Sequence, residues 1–504
     1  MKRFDCLIIG TGAANTVLDA ALAKGLRCAV IEKGNFGGTC LNRGCIPTKV
    51  LATAADYIRE IEDLPKIGVD VGRASMNWDV VSRRVWEKIE DHVSVFRYYQ
   101  SQPNLTIYRG RGFFTGEKIV RVELDGGVLS EELTADKIII NVGARTSLPP
   151  VAGREEAGYL CSETLFGDKY PAKPYKKLII IGGGPIGCEF SHIFSAAGTE
   201  VTIVQHNDRL LPRSDREVSA QLLKNMNALG IKVFLKHNIL SVRKEKEEKI
   251  LTIESDGSGA AFEISAEEIM FATGIRPAGD ELGLEHTTIA TDAKGWIKTN
   301  ELLETSVSGV WAIGDINGQP AFRHKANYEA DIVAHNLFGG FDSKNWRWAS
   351  YEVVPAVTFA YPQVAQVGLT EEEAREIGCD LAIGKQHYHK TAKGYALGFT
   401  AEGGMDGFVK LIVEKESNRI LGVHVIGAQA SLLIQPFINL MNVGTKKIKA
   451  INPEIGSETA KALREAGIER TLDPHSVLSV GETMTPHPSL AEVIMWTQYY
   501  FEGK

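Results

Sequence analysis

Two short apolar strands, each running into a glycine-rich turn and then a helix, constrain this chain more than any other feature. The first is Phe4 to Ile9, followed by Gly10, Thr11 and Gly12, a helical stretch through Ala23, and a second strand, Arg27 to Ile31, ending on Glu32. The second is Leu178 to Ile181, followed by Gly182, Gly184 and Gly187, a helix through Ala197, and a strand from Glu200 to Val204 that ends on Gln205. A GxGxxG pattern alone is a weak signal. Between a strand and a helix it is the arrangement in which glycines let the backbone approach a pyrophosphate and a helix N-terminus offers N–H donors to it. Glu32, 20 residues beyond Gly12, is placed to bind a ribose hydroxyl. The first unit departs from the fingerprint, with Asn15 where the third glycine is expected. Two such units predict two bound nucleotides, or one nucleotide and a structural copy. In the second, Gln205 removes a carboxylate that would clash with a 2′-phosphate, and His206, Arg209 and Arg213 stand nearby. This pattern favours NADPH; the alternative is that Gln205 bonds the ribose of NADH and the basic residues are solvated surface.

A length of 504 residues predicts about three domains. From about Trp346 the pattern changes: Val353 to Phe359, Gly407 to Val413 and Ile420 to Ile426 read as antiparallel strands interleaved with helices. Between the glycine turns lie a helical stretch from Lys49 to about Tyr99 and strands closing at Lys137 to Val142; Met270 to Gly274 and Gly309 to Asp315 follow the second unit. The expected class is α/β: two Rossmann-like, doubly wound, three-layer nucleotide-binding domains (1–148 with 277–345, and 149–276), then a C-terminal α+β domain over 346–504. A net charge of −7 without long single-sign runs argues against broad electrostatic capture of nucleic acid. No uninterrupted apolar run reaches the ~18 residues of a membrane span, and seven scattered cysteines fit a soluble protein in a reducing cytoplasm.

The segment Gly37 to Lys49 reads GGTCLNRGCIPTK. Two cysteines five apart at the start of a helix can close a small strained disulfide, and the helix N-terminus lowers thiolate pKa and makes the pair reactive. Zinc would require a second compact ligand pair, whereas the cysteines at 6, 28, 161, 188 and 379 stand alone. His387 and His389 alternate on a strand with no carboxylate or third ligand at metal-site spacing, so they are expected on a solvent-facing strand edge, and no metal site is expected. Trp346, Trp348 and Tyr351 are expected to serve domain packing.

Further motifs follow in order: Ala272-Thr273-Gly274-Ile275-Arg276-Pro277, then Thr305 leading to Ala312-Ile313-Gly314-Asp315, and finally His487-Pro488-Ser489-Leu490-Ala491-Glu492. With them the chain resembles, over essentially its whole length, the FAD-dependent pyridine-nucleotide disulfide oxidoreductases, the class that includes dihydrolipoyl dehydrogenase, glutathione reductase and mycothione reductase. Gly10 to Asn15, Trp78 to Arg83, His324 to Asn336, Val354 to Thr370 and Gly427 to Pro436 are most similar to the mycothione reductases, which makes Asn15 a subfamily mark.

The resemblance implies a relay in which NAD(P)H on the second unit reduces FAD on the first, FAD reduces a Cys40–Cys45 disulfide, and the dithiol reduces an external disulfide. It implies that Cys45 faces the flavin, that Cys40 attacks substrate, and that Lys49 with its acidic partner Glu189 lies near the flavin. It assigns Gly10, Gly12, Asn15, Glu32, Lys33, Gly38, Thr39, Gly143, Asp315 and Ala326 to FAD. Gly182, Gly184, Gly187, Gln205, His206, Arg209 and Gly274 are assigned to NAD(P). It implies that His487 and Glu492 form an acid/base dyad serving the other subunit's disulfide, in a homodimer with a shared active site, and that the C-terminal domain is the dimerisation domain. The expected activity is NAD(P)H-dependent reduction of a low-molecular-weight disulfide. The alternatives are dihydrolipoamide oxidation with NAD⁺ and a non-standard acceptor, such as a metal ion or a thioether. Two departures bear on substrate. Arg43 stands between the cysteines, either meeting a thiolate or acidic substrate or pointing into solvent. In addition, 42 residues separate Gly444 from His487; the polar insert at about 446–484 either caps the disulfide cleft or is a surface or dimer-contact elaboration.

Overall fold

Strands buried on both faces need no polar alternation, and the first apolar run behaves accordingly. Lys2–Ile9 pairs in parallel with Cys28–Glu32 on one side and Leu133–Ile140 on the other. Ile138, Ile139 and Ile140 are all fully buried. Val310–Ala312 returns from far along the chain to pair with Leu133–Ile140, so the sheet gathers residues from both sides of the second nucleotide unit. These elements come from a computed structural model that describes residues 1–257, 259–401, 406–476 and 478–493. Val477 of the insert and the end of the expected C-terminal domain, 494–504, lie outside the described residues.

The second unit forms a parallel sheet in the order Lys232–Leu235, Glu200–Gln205, Lys177–Ile181, Glu268–Phe271, Leu160–Cys161. An antiparallel meander, His237–Glu245, Glu248–Ser255 and Ala261–Ala266, is appended to it. The third sheet is antiparallel, in the order Ala356–Thr358, Val364–Gly368, Ile420–Ile426, Phe408–Glu414, Leu381–His387. The helical stretch expected from Lys49 to Tyr99 is three helices, Cys45–Asp63, Trp78–Ile89 and Asp91–Gln100. The first ends in a 3₁₀ turn that carries Pro65 and is closed by Gly68 at φ 81°, a left-handed conformation that glycine adopts without steric cost. No helix among the described residues is long and apolar enough to cross a membrane.

A buried ion-pair cluster ties the third sheet to the helix Arg216–Ala228 of the second unit. Lys410, on a strand of the third sheet and 2% exposed, meets Asp215, Glu217 and Glu371 at 3.0, 2.8 and 2.7 Å. A buried ammonium is tolerated because three carboxylates replace its water. The insert packs on the flank of the first domain. Its hairpin joins Gly444–Lys447 to Glu469–Leu472, and its helix Glu458–Glu465 is capped by the Ser457 hydroxyl. Ala460 and Leu463 of that helix pack with Leu302 and Trp348, which places Trp348 in domain packing. Arg347 and Arg470 then hold Glu482 at 3.0 and 2.7 Å, and Met484 enters the first domain's core beside Tyr328.

A Cβ on Gly187 would lie 1.9 Å from the Gly182 carbonyl oxygen, a backbone atom that cannot swing aside. Gly187→Ala is expected to destabilise the second unit by at least about 2 kcal/mol, read as an earlier denaturant transition and a raised KM for the nicotinamide nucleotide. A variant matching the wild type on both would contradict this packing.

Candidate active site

Gly37 (φ 99°) and Gly38 (φ 67°) turn the chain into the short helix Gly38–Arg43; Gly44 interrupts it, and Cys45 opens the helix Cys45–Asp63. A Cβ on Gly38 would stand 2.8 Å from the Gly12 Cα, so the cysteine segment touches the first glycine turn backbone to backbone. The redox pair is thereby seated beside the place where a dinucleotide would lie.

Cys40 and Cys45 carry free thiols. The Cys40 sulfur lies 3.2 Å from His487 Nε2, and the donor atoms of Cys40, Cys45 and His487 all fall within 4.8 Å of one another. His487 Nδ1 is 2.8 Å from Glu492 Oε1, and the Ser489 N–H donates to Glu492 Oε2 at 3.1 Å. The carboxylate thus fixes the ring and favours a proton on Nδ1, leaving Nε2 for the sulfurs. A hydrogen bond from Cys40 holds the Cys45 thiol well below its ordinary pKa against the opposing effect of burial, and His487 adds to the lowering. The same bond, together with burial, drives Cys40 well above. Burial opposes charge on His487, but the Cys45 sulfur and Glu492 outweigh it and raise its pKa to about 9. The resting arrangement is a Cys45 thiolate facing an imidazolium.

In this chain His487 reaches Cys40 of the same chain at 3.2 Å, and the insert leads to it through Glu482, held by Arg347 and Arg470, and through Met484. Arg43 is exposed; the cations that lower the Cys40 thiol are Arg323 and Lys49. Arg323 opens the helix Arg323–Phe338 and carries no local motif that would have marked it.

Lys49, one turn after Cys45, donates to Glu189 Oε2 at 2.7 Å and lies 4.5 Å over the Phe359 ring. The Phe359 N–H bonds Glu189 Oε1 at 3.0 Å. One ion pair therefore joins the redox helix, the helix Pro185–Ala196 and the third domain.

The residues assigned to FAD divide into a cradle and its supports. Asp315 accepts no side-chain hydrogen bond among the described contacts and is pushed up by burial, then acted on by Lys325 and Cys45. Asn15 holds a buried Oδ1 with no partner. A carboxylate and an amide oxygen left open beside the Gly10–Gly12 turn fit a polar ligand there, and Gly143 (φ 72°) has open space where a Cβ would stand. Glu32 closes the turn, accepting from the Thr11 N–H and hydroxyl at 2.9 and 2.6 Å and from the Gly34 N–H at 2.8 Å. Lys33 pairs outward with Glu281 at 3.0 Å. Thr39 contributes backbone packing against Gly44, and Ala326 packs in the core.

Sequence reasoning missed the girders beneath this cradle. Asn141 accepts from the Ala14 N–H at 3.1 Å and donates to the Ile313 carbonyl at 2.8 Å. The fully buried Lys325–Glu329 pair holds the Gly314 carbonyl and N–H at 3.0 and 2.7 Å, and Tyr351 donates to Glu329. These bonds fix the turn that presents Asp315.

In the second unit Gly182 (φ 108°) and Gly187 make the close turn, while Gly184 and Gly274 have open space where a Cβ would be. Gln205 is turned inward: it accepts from the Gly183 N–H at 3.1 Å and donates to the Arg209 carbonyl at 3.2 Å. Arg209 is engaged by Glu372 at 2.9 Å. Two of the four residues read against the 2′ end are thus occupied internally, and His206 and Arg213 are exposed.

Residues 4–330 match the pyridine nucleotide-disulphide oxidoreductase family and residues 354–458 its dimerisation domain. The chain is 34% identical over 459 residues to mycothione reductase of Mycobacterium tuberculosis (strain ATCC 25618 / H37Rv), covering 88% of this chain and 94% of that one. It is 30% identical over 511 residues to dihydrolipoyl dehydrogenase of Bacillus subtilis (strain 168), covering 100% and 98%. The HOCl-induced flavoprotein disulfide reductase RclA from Escherichia coli, solved as a Cu(II) complex, superposes with a TM-score of 0.74 at 25% identity over 98% of each chain. The chain belongs to the pyridine nucleotide-disulphide oxidoreductase family. It is an oxidoreductase of the class that uses FAD and NAD(P)H, with two nucleotide-binding α/β domains and a C-terminal dimerisation domain that supports a homodimer.

Because Glu492 helps to hold His487 protonated, removing its charge lowers the imidazole pKa. In Glu492→Gln the alkaline fall of kcat is expected to move from about 9 toward the ordinary imidazole value of about 6.5. A pH profile with an unmoved alkaline limb would show that Glu492 does not set this proton.

Proposed function

We propose that this protein is an NAD(P)H-dependent reductase of a low-molecular-weight disulfide, working through Cys40 and Cys45 with His487 and Glu492 of the same chain. In this reading the FAD-binding domain comprises 1–148 and 277–345, the NAD(P)-binding domain 149–276, and the dimerisation domain the remainder. The observation that carries the reading is the 3.2 Å contact between the Cys40 sulfur and the His487 imidazole, in a group whose other sulfur is the stabilised thiolate.

The chemistry follows from those positions. The Cys40 sulfur attacks one sulfur of the substrate disulfide to form a mixed disulfide, while the His487 imidazolium gives its Nε2 proton to the departing thiolate and takes the Cys40 proton in its place. Cys45, already a thiolate, attacks the Cys40 sulfur, and the second departing thiolate takes the proton from His487, leaving the Cys40–Cys45 disulfide and a neutral imidazole; two electrons and two protons pass to the substrate. Bound FAD supplies the ring that returns electrons from NAD(P)H to that disulfide. Lys49 and Glu189 hold the redox helix against the second domain while this happens. Gln205 and Arg209, being internally paired, leave discrimination at the 2′ end to His206 and its exposed surroundings, so both nicotinamide nucleotides are accepted with a modest preference for NADPH.

A second reading takes a soft metal ion as electron acceptor. It is favoured by the convergence of two sulfurs and an imidazole nitrogen within 4.8 Å, a donor set suited to such ions, and RclA is itself a flavoprotein disulfide reductase solved with Cu(II).

The experiment is a turnover matrix of NADPH and NADH against thiol disulfides, lipoamide in both directions, and Cu²⁺. Turnover of one small disulfide, lost by about three orders of magnitude in both Cys40→Ser and Cys45→Ser, is the expected result. Fast dihydrolipoamide oxidation with NAD⁺ would overturn the direction assigned, and Cu²⁺ turnover alone would establish the second reading. The origin of the base is tested by subunit exchange between Cys40→Ser and His487→Gln. Activity no greater than the sum of the separate variants is expected; recovery to about one quarter of wild type would place the base across a two-fold interface.

A further inference from the structure

We propose that His387, His389 and Asp406 form a binding site for a divalent first-row transition-metal ion, separate from the redox centre. The hairpin brings them together. His387 ends the strand Leu381–His387, His389 sits in the 3₁₀ turn Tyr388–Lys390, and Asp406 lies just before the strand Phe408–Glu414, in which Phe408 is the register partner of His387. The sequence shows two histidines without a nearby carboxylate because the carboxylate is 17 residues beyond His389 and arrives only on the return strand. The two histidines also do not share a strand: the chain turns between them, which aims both rings at one point.

That point is a single oxygen. Nδ1 of His387 and Nδ1 of His389 lie 2.9 and 2.7 Å from the same Asp406 Oδ2, and the three donor atoms fall within 4.8 Å of one another. The other carboxylate oxygen, Oδ1, is held at 3.1 Å by the His389 backbone N–H. Such an outer bond orients a ligating carboxylate. The His387 ring is steadied by Phe408, 5.7 Å away between centroids. The side chain of Asp406 is 7% exposed, and those of His389 and His387 are 19% and 32% exposed. Asp406 also borders a cleft of about 360 Å³, which leaves room for water on an incompletely coordinated ion.

Two imidazole nitrogens and one carboxylate oxygen around an open side form the donor set of copper, zinc or nickel sites, whereas calcium and magnesium favour oxygen alone. Two neutral imidazoles that each donate Nδ1–H to Oδ2 satisfy the same geometry without an ion. A divalent cation takes the place of those two protons, which pass to Nε2 of each ring so that both imidazoles stay neutral, and converts a hydrogen-bonded clasp into a coordinated one, tying the 3₁₀ turn to the start of the return strand.

The test uses full-length, FAD-loaded protein carrying Cys40→Ser and Cys45→Ser, so that the redox thiols cannot bind metal, stripped with chelator and titrated with Zn²⁺ or Cu²⁺ alone. One equivalent is expected to bind, with nitrogen hyperfine structure in the Cu²⁺ electron paramagnetic resonance spectrum and an upward shift of the thermal midpoint on adding Zn²⁺. Asp406→Asn, His389→Gln and His387→Gln, each added to that background, are expected to weaken binding at least tenfold and to abolish the thermal shift. The near-isosteric Asn variant preserves the hairpin if a glutamine variant does not fold. Absence of a stoichiometric equivalent, or an equivalent equally tight in the folded variants, would overturn the site and leave the cluster as a hydrogen-bonded clasp.

Discussion

A proton shared among two sulfurs and an imidazole, largely removed from water, is the interaction on which the rest of this molecule depends. It requires Cys40, Cys45 and His487 to stay within hydrogen-bonding reach, although His487 lies 447 residues from Cys40. The charge falls on Cys45 rather than Cys40 because of the hydrogen bond between them and the contact with His487, so the surroundings have to hold these three groups in place. The stiffness comes from backbone touching backbone at Gly12 and Gly38, from the Lys49–Glu189 pair at the root of the redox helix, and from the buried Lys325–Glu329–Tyr351 network below Asp315. Each of these buries polar groups with their partners, which is the condition under which a polar interior holds one arrangement.

What was legible in the sequence was local. The glycine turns, the cysteine spacing and the His–Glu spacing each complete their chemistry within a dozen residues, and each stands in the structure where the pattern placed it. What was not legible depends on partners brought from far along the chain. Gln205 and Arg209 read as groups facing a 2′-phosphate, but the turn backbone and Glu372 claim them. Asn141, Arg323 and Lys410 sit in stretches whose local pattern marks only a strand end, a helix start and an apolar strand. Asp406 is separated from His389 by a loop. The change of pattern near Trp346 was visible and falls between the stretches 4–330 and 354–458 that match the two family models, whereas the break of the long helical stretch into three required weighing Pro65 and Gly68 against the apolar periodicity around them.

The insert shows how chain length becomes geometry. A short link would leave the segment carrying His487 where the dimerisation domain ends. The longer one builds a hairpin and a helix, spends its apolar side chains on Leu302 and Trp348, and anchors Glu482 between two arginines before releasing the turn that carries His487.

Arg209 carries a consequence of a different kind. It belongs to the rim of the nicotinamide domain, yet its guanidinium is held by Glu372 of the dimerisation domain. A ligand phosphate that draws Arg209 to itself must weaken that inter-domain bond, and by linkage the bond subtracts the same free energy from phosphate binding. With the pair made, that guanidinium is engaged in joining the two domains, and any ligand that took it up would loosen one domain from the other.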